Sequence, residues 1–239
     1  PSGTRRLTSG KTTSTSYTWT KEQILSMLQY SPNSNSISIK VGIITYGNAE
    51  YYSEKVGTLN VVNSNPTFSN FVYEDINSKT IALTGNNQYI IKGYSNVRAT
   101  ISTANKAVAK NYASICKYRF AIASSQVDVN YSSTANVQTT INAVKSNIFT
   151  MYAIDSRGNS SLKQISPSRY IDYTAITLNK VEVIRENGIG SISTLTFNGS
   201  IWEGSFGAVL NEIKSCTYRY KETTSNTWKT GTTNLNPTR

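Results

Sequence analysis

Short runs in which hydrophobic and polar residues alternate recur along most of the chain, and each run is closed by Gly, Asn, Pro or Asp. In the stretch CKYRF, the apolar positions Cys116, Tyr118 and Phe120 are expected to face a core, with Lys117 and Arg119 facing outward. Strand-sized runs with turn signals about every eight to twelve residues are typical of β-sandwiches. The pattern therefore predicts an all-β fold of tandem immunoglobulin- or fibronectin-like β-sandwich modules.

One segment near the start has a helical pattern instead. Thr20 and Gln23 have the spacing of a capping box, and four apolar residues follow at Ile24, Leu25, Met27 and Leu28. Pro32 limits the segment to two or three turns. We expect one short connecting helix near residues 20–29.

The pentapeptide CKYRF at Cys116 returns as CTYRY at Cys216, 100 residues later. We interpret this as a repeated domain. The repeat predicts a partial sandwich module with the short helix in residues 1–60 and a complete immunoglobulin-like sandwich in residues 61–163. Residues 164–239 are predicted to form a second such module that lacks its last strand. The two cysteines would lie far apart in such modules, so we expect buried free thiols and no mutual disulfide.

The incomplete modules at both ends leave two interpretations open. The chain is either a fragment of a longer tandem array, or each copy completes the next by donating a strand, which would make a homo-oligomer. Light scattering over a range of concentrations distinguishes the two.

The chain has 239 residues, of which 38% are hydrophobic and 15% charged, and its net charge is +11. Such a charge favours an acidic partner. Lys and Arg are scattered, with no run of five or more, so we do not expect nucleic acid to be that partner. An anionic cell-wall polymer fits better. No run of eighteen apolar residues occurs, so no membrane span is expected.

The residues that most catalytic sites require are missing. The sequence has no histidine and only two cysteines, which argues against catalytic triads and against ordinary zinc sites. Glu74 and Asp75 are adjacent on a predicted strand and would point to opposite faces, a poor arrangement for a glycosidase pair. Asp155 is best explained as a turn residue that accepts hydrogen bonds from its own backbone. We predict no catalytic residue, no metal site and no cofactor.

Aromatic and basic side chains remain as binding candidates. Trp19 and Trp228 stand among polar residues and could act as platforms for a glycan, whereas the alternation around Trp202 favours packing. Lys117 and Arg119, with Arg219 at the repeated position, could form a basic face on successive domains. The simpler alternative is that these cations are ordinary solvent-facing strand residues.

Several blocks of the chain are distinctive: NPTFSNFVYED, LTGNNQYIIKGYSNVRATIS, NKAVAKN, the SRGN turn, and LTFNGSIWEGSFGAVLN followed by YRYKE. Together they resemble a family of minor structural proteins from the tails of siphoviruses that infect Gram-positive bacteria. The resemblance covers roughly residues 15–239. It implies a virion protein with immunoglobulin-like modules in the tail tip, baseplate or fibre.

The expected function is therefore that of a non-enzymatic structural or adhesion element of the phage tail. Its expected partners are other tail proteins, a wall glycan of the Gram-positive host, and further copies of the chain. Two alternatives stay open: a bacterial cell-surface adhesin or carbohydrate-binding module, and a fragment of a glycan-degrading enzyme. The enzyme would need two carboxylates about 5 to 10 Å apart in an open cleft.

Overall fold

The computed structural model describes residues 18–46, 49–62, 64–185 and 193–231. These ranges contain two α-helices, α1 (Lys21–Leu28) and α2 (Ser78–Thr84), and otherwise mostly strands. The strands in chain order are β1 (Ser36–Tyr46), β2 (Glu50–Asn60), β3 (Val72–Asp75), β4 (Tyr89–Ile91), β5 (Val97–Ile101), β6 (Ile115–Ile122), β7 (Ser125–Asn130), β8 (Val137–Ile141), β9 (Phe149–Asp155), β10 (Ser160–Ile165), β11 (Arg169–Ile171), β12 (Thr177–Arg185), β13 (Ser193–Ser200), β14 (Arg219–Tyr220) and β15 (Lys229–Thr230). The β-rich class predicted from the alternating pattern is confirmed.

The middle of the chain is a sandwich of two antiparallel sheets. One sheet has three strands in the order β3-β5-β8, and the other has four in the order β10-β9-β6-β7. Buried side chains of both sheets form one hydrophobic core, in which the ring of Phe120 lies 6.1 Å from that of Phe71 and 6.4 Å from that of Phe149. Because this core closes between two sheets, the outer face of each sheet is held on a rigid support.

Helix α1 begins where the sequence predicts. The backbone N–H of Gln23 donates to the Thr20 hydroxyl at 3.3 Å, and the Thr20 N–H donates to the Gln23 side-chain oxygen at 2.9 Å. These reciprocal bonds satisfy two donors that the first helical turn cannot pair by itself. The predicted capping box is confirmed.

Helix α2 was not expected, since only one helix is predicted. Its start is capped by Asn77, whose side chain accepts a hydrogen bond from the Lys79 N–H at 3.1 Å. Its end is capped by Gly85, which has φ of +70°. Glycine reaches that left-handed conformation without the steric cost that other residues pay. The Asn and Gly that frame SKTIALT are the signal that identifies this helix in the sequence.

The expectation of two buried thiols is wrong. Cys116 is exposed and Cys216 is only half-buried, although both are free as predicted. The pairing of β6 with β9 shifts register between Ile115 and Lys117, so Cys116 occupies a bulge. Tyr118 and Phe120 beyond the bulge are buried as expected. A bulge interrupts the alternation of buried and exposed residues along a strand. For that reason the predicted burial is wrong at Cys116, the first position of CKYRF.

Outside the central sandwich, three pairs of described strands form separate two-stranded antiparallel sheets: β1 with β2, β12 with β13, and β14 with β15. The CTYRY stretch forms only the two-residue strand Arg219–Tyr220, which pairs with Lys229–Thr230. The matching stretch in the centre forms the eight-residue strand Ile115–Ile122. The three domains and the two boundaries between them remain predictions.

A buried arginine ties the segment after α1 to the central sandwich. The Arg157 guanidinium donates to the carbonyl of Ser31 at 2.9 Å and to that of Ser34 at 3.0 Å, and also to the carbonyls of Lys110 and Asn111 at 3.2 and 2.6 Å. One side chain thus satisfies carbonyls from two separate loops, as buried polar groups require.

A small second cluster lies where the chain leaves the sandwich. There β11 pairs in parallel with β4, and Ile91, Ile171 and Phe206 are buried together. The ring of Trp202 lies 5.0 Å from that of Phe206 and 5.6 Å from that of Tyr173. The interpretation of Trp202 as a packing residue is confirmed.

Both described helices are short, and neither has the length and apolarity that crossing a membrane would need.

Candidate functional site

Two of the basic residues proposed from the sequence, Lys117 and Arg119, lie on the outer face of the four-stranded sheet and bind one carboxylate there. Tyr118 and Phe120 on β6 are buried. Because side chains alternate along a strand, Lys117 and Arg119 on the same strand point outward. Strand β7 places Asp128 directly opposite Arg119, and β9 places Tyr152 opposite Arg119 on the other side. We call Lys117, Arg119, Gln126, Asp128 and Tyr152 the outer sheet face.

Three of these side chains form one ion-paired group. Arg119 binds Asp128 through two hydrogen bonds, from Nε to Oδ1 at 2.6 Å and from Nη2 to Oδ2 at 3.0 Å. Lys117 Nζ donates to the same Oδ2 at 2.7 Å. The fork of two parallel bonds fixes the guanidinium plane. Two cations share one carboxylate, so the group keeps a net charge of +1.

The ionisation of Asp128 reflects this arrangement. The hydrogen bonds from Arg119, followed by those from Lys117, hold the pKa of the Asp128 carboxyl well below its usual range. In return, the bonds to Asp128 raise the pKa of Arg119. Each charge favours the ionised form of its neighbour. Asp128 and Arg119 therefore both stay charged at neutral pH.

A shallow concave space of about 500 Å³ opens beside this group. Its lining includes Arg119, Gln126, Tyr152, Ile154 and Ser160. It combines a guanidinium, a side-chain amide, a phenol ring and a hydroxyl with the apolar side chains of Ile154, Ala121 and Ala123. Polar groups beside a small apolar surface can contact a ligand through hydrogen bonds.

The structure brings together two of the three predicted basic residues. Lys117 and Arg119 meet at Asp128, whereas Arg219 lies on β14, in a different sheet. Of the two tryptophan candidates, Trp19 is half-buried just before the cap of α1. Trp228 is 56% exposed, and the Lys221 ammonium lies 5.2 Å from the centre of its ring.

The acidic residues considered for catalysis have structural partners. Asp155 Oδ1 accepts hydrogen bonds from the N–H of Arg157 at 2.9 Å and of Asn159 at 2.8 Å, which confirms its interpretation as a turn residue. Asp75 is buried and accepts from the Ser95 hydroxyl at 2.6 Å. Glu74 lies on the other face of β3 and accepts from Arg98 Nη2 at 2.6 Å.

Within the described part of the chain, no group of three or more His, Cys, Asp or Glu residues is arranged to hold a metal ion. The outer sheet face offers fixed hydrogen-bond donors and a net positive charge. Such groups can bind hydroxyl and anionic oxygens of a ligand.

Sequence analysis missed Asp128, Gln126 and Tyr152. The sequence signal for Asp128 and Gln126 is the alternation in SQVDVN, which follows the alternating run CKYRFAI. A short turn separates the two runs, and Ala123 in this turn has φ of +51°. Two alternating runs around a tight turn indicate a hairpin, and its register sets Arg119 opposite Asp128. Tyr152 comes from β9, thirty-three residues beyond Arg119 in sequence, and the sequence carries no local signal for that pairing.

Residues 2–227 match a protein family described as "Siphovirus protein of unknown function (DUF859)". The chain belongs to this family. The DUF859 protein matches no curated protein and no solved structure in the comparisons made. The family residues include the whole outer sheet face and both long hairpins, β1–β2 and β12–β13.

Proposed function

We propose that this DUF859 protein is a non-enzymatic structural and adhesion component of a siphovirus tail, in the tail tip, the baseplate or a fibre. Its siphovirus family supports a phage-related structural role and favours it over a bacterial surface adhesin.

The central sandwich is proposed to be an immunoglobulin-like module of the fibronectin type III kind. Its seven sheet strands in chain order are β3, β5, β6, β7, β8, β9 and β10. Lettered A, B, C, C′, E, F and G, they give the sheets A-B-E and G-F-C-C′, which is the strand order of that module type. In this lettering, the outer sheet face lies on strands F, C and C′ of the second sheet.

The adhesion part of the proposal depends on one observation: the ion-paired group of Lys117, Arg119 and Asp128 beside a concave space. Packed strands fix its donors before any ligand arrives, which lowers the entropic cost of binding. The net charge of +1 on the group and of +11 on the chain favours an anionic ligand. We propose that the ligand is an anionic glycan of the Gram-positive cell wall.

The test is sedimentation of the protein with isolated walls of a Gram-positive host, before and after the anionic polymer is removed by acid extraction. Arg119→Gln is compared with Arg98→Gln. Arg98 is a matched control because it also binds a carboxylate, Glu74, through Nε and Nη2 from a central strand, but on the other sheet.

We expect binding to intact walls that falls with added salt, is lost on extracted walls and weakens about tenfold in Arg119→Gln only. Equal binding to intact and extracted walls would exclude the anionic polymer as the ligand. If both variants weaken equally, the outer sheet face is not the binding site. If no binding to either wall preparation occurs, the adhesion part of the proposal is wrong.

A further inference from the structure

The concave space beside the ion-paired group crosses all four strands of its sheet. Gln126 lines it on β7, Arg119 on β6, Tyr152 on β9 and Ser160 on β10. Because β7 and β10 are the two edges of the sheet, the space reaches from one edge to the other. We call the space that these four residues line the diagonal groove.

The strand register gives the length of the diagonal groove. Arg119 and Tyr152 lie opposite each other at its centre. Gln126 lies two residues beyond the level of Arg119 in one direction along the strands, and Ser160 lies two residues beyond that level in the other. Residues on a strand rise about 3.4 Å each and neighbouring strands lie about 4.8 Å apart, so the two ends are about 20 Å from each other. The groove is therefore long enough for several units of a linear polymer.

Both ends of the diagonal groove are open. The outermost lining residues are Ala123 and Gln126 at one end and Gly158 and Ser160 at the other, and all four are exposed. A Cβ at Gly158 would have no heavy atom within 4 Å. The described lining thus forms no wall at either end. A site for the terminus of a polymer needs such a wall, whereas a site for the interior of a polymer must stay open on both sides.

The centre of the diagonal groove offers hydrogen-bond donors that the protein leaves unused. The bonds from Arg119 to Asp128 use two of the five N–H groups of a guanidinium. Among the described residues, Arg119 makes no other hydrogen bond and the Tyr152 hydroxyl makes none. The described lining contains no carboxylate that would repel an anion. Because Asp128 holds the guanidinium plane, the remaining N–H groups can receive an anionic oxygen without reorganising.

We propose that the diagonal groove binds an internal stretch of a linear anionic wall polymer, which lies across the sheet from edge to edge. One anionic group of the polymer binds Arg119 at the centre, and neutral units on either side contact Gln126 and Ser160. This binding mode depends on the proposed adhesion function and adds to it that the protein binds along a polymer chain and not at its end. A single polymer then offers many equivalent sites, and a free terminus is not needed.

The test compares tryptophan substitutions at the two ends of the groove. Gln126→Trp on β7 and Ser160→Trp on β10 each change an exposed position on an edge strand. Asn130→Trp is the matched control, because Asn130 is exposed on β7 and faces the same side as Asp128, but does not line the groove. Isothermal titration calorimetry measures binding of the full chain to size-graded fragments of the acid-extracted wall polymer.

We expect the affinity of the wild type to rise with fragment length and to level off once a fragment spans about 20 Å. For fragments of that length, Gln126→Trp and Ser160→Trp should each raise the dissociation constant about tenfold, and Asn130→Trp should leave it unchanged. The shortest fragments occupy only the centre and should bind weakly and equally to all three variants. Circular dichroism melting shows whether each variant stays folded, and the length dependence of the wild type needs no variant.

A loss of affinity in only one of the two end variants would overturn the proposal, because it would indicate a site for a polymer terminus. Equal losses in all three tryptophan variants, or a wild-type affinity that does not change with fragment length, would also overturn it. The proposed adhesion function would survive these outcomes as long as Arg119→Gln still weakens binding. If Arg119→Gln binds every fragment as tightly as the wild type, the outer sheet face is not the site and both proposals are wrong.

Discussion

The Arg119 guanidinium and the Asp128 carboxylate lie opposite each other across the β6–β7 ladder, joined by two hydrogen bonds of 2.6 and 3.0 Å. Lys117 donates to the same carboxylate. The pair connects the local fold to the proposed adhesion role, because the hairpin register that sets its geometry also aims it outward. Its ionisation is therefore the first property to measure.

The pKa of Asp128 should lie below its ordinary value of 3.8, since the bonds from Arg119 and Lys117 favour the carboxylate. A depressed pKa means that its stabilising effect is fully present above pH 3.8 and is lost as pH falls through the lower, folded-state pKa. Titration of the carboxyl carbon by NMR measures this pKa. In Arg119→Gln the midpoint should move upward; a midpoint at or above 3.8 in the wild type would contradict the ion-paired geometry.

Replacing the buried Arg157 with Met should lower the free energy of unfolding by about 2–3 kcal/mol, because the partly buried carbonyls of Ser31, Ser34 and Asn111 lose a charged donor. Urea unfolding measures the loss. Limited proteolysis should also show faster cleavage near residues 31–35. The control is Arg98→Met, whose partly exposed ion pair with Glu74 should cost less than about 1 kcal/mol. Equal losses in the two variants would show that Arg157 does not anchor this segment.

Phe120→Ala should destabilise the central sandwich by about 3–5 kcal/mol, since its fully buried ring fills space between the two sheets. Val127 lies directly opposite Phe120 on β7 but is 39% exposed, so Val127→Ala should cost clearly less. Urea unfolding followed by fluorescence or circular dichroism gives both values. A loss below about 1 kcal/mol for Phe120→Ala would mean that the two sheets do not share this core.

Gly85→Ala should destabilise the chain by about 1 kcal/mol, because φ of +70° at the end of α2 is costly for any residue with a Cβ. A Cβ there would also meet the Ala208 side chain at 3.2 Å. Gly158→Ala is a control for the backbone effect alone, as its φ is +81° and no atom lies near the added Cβ. Thermal unfolding compares the two. No loss in either variant would contradict the left-handed backbone conformation of the two glycines.

The sequence supports the class of the fold better than its details. Local patterns predict the cap at Thr20, the turn at Asp155 and the burial of Tyr118 and Phe120, since each depends on residues a few positions apart. The alternation cannot show the bulge that exposes Cys116, because a bulge is a property of the pairing between β6 and β9.

Non-local pairing also limits what the sequence says about the site. Arg119 and Lys117 could be proposed from their strand, but Tyr152 joins them only through the sheet order β9-β6-β7. Arg157 contacts Ser31, which lies 126 residues earlier in the chain, and no spacing rule predicts such a contact. The alternation in β12 is visible in the sequence, yet only the structure shows that β12 pairs with β13 in a two-stranded sheet of its own.

Immunogold electron microscopy of intact siphovirus virions tests the central claim most directly. Antibodies raised against this chain should label the tail, at its tip, baseplate or fibres, and labelling should disappear when the antibody is first absorbed with the purified protein. Label on the capsid, or no label on virions whose infected cells contain the protein, would contradict a role in the tail.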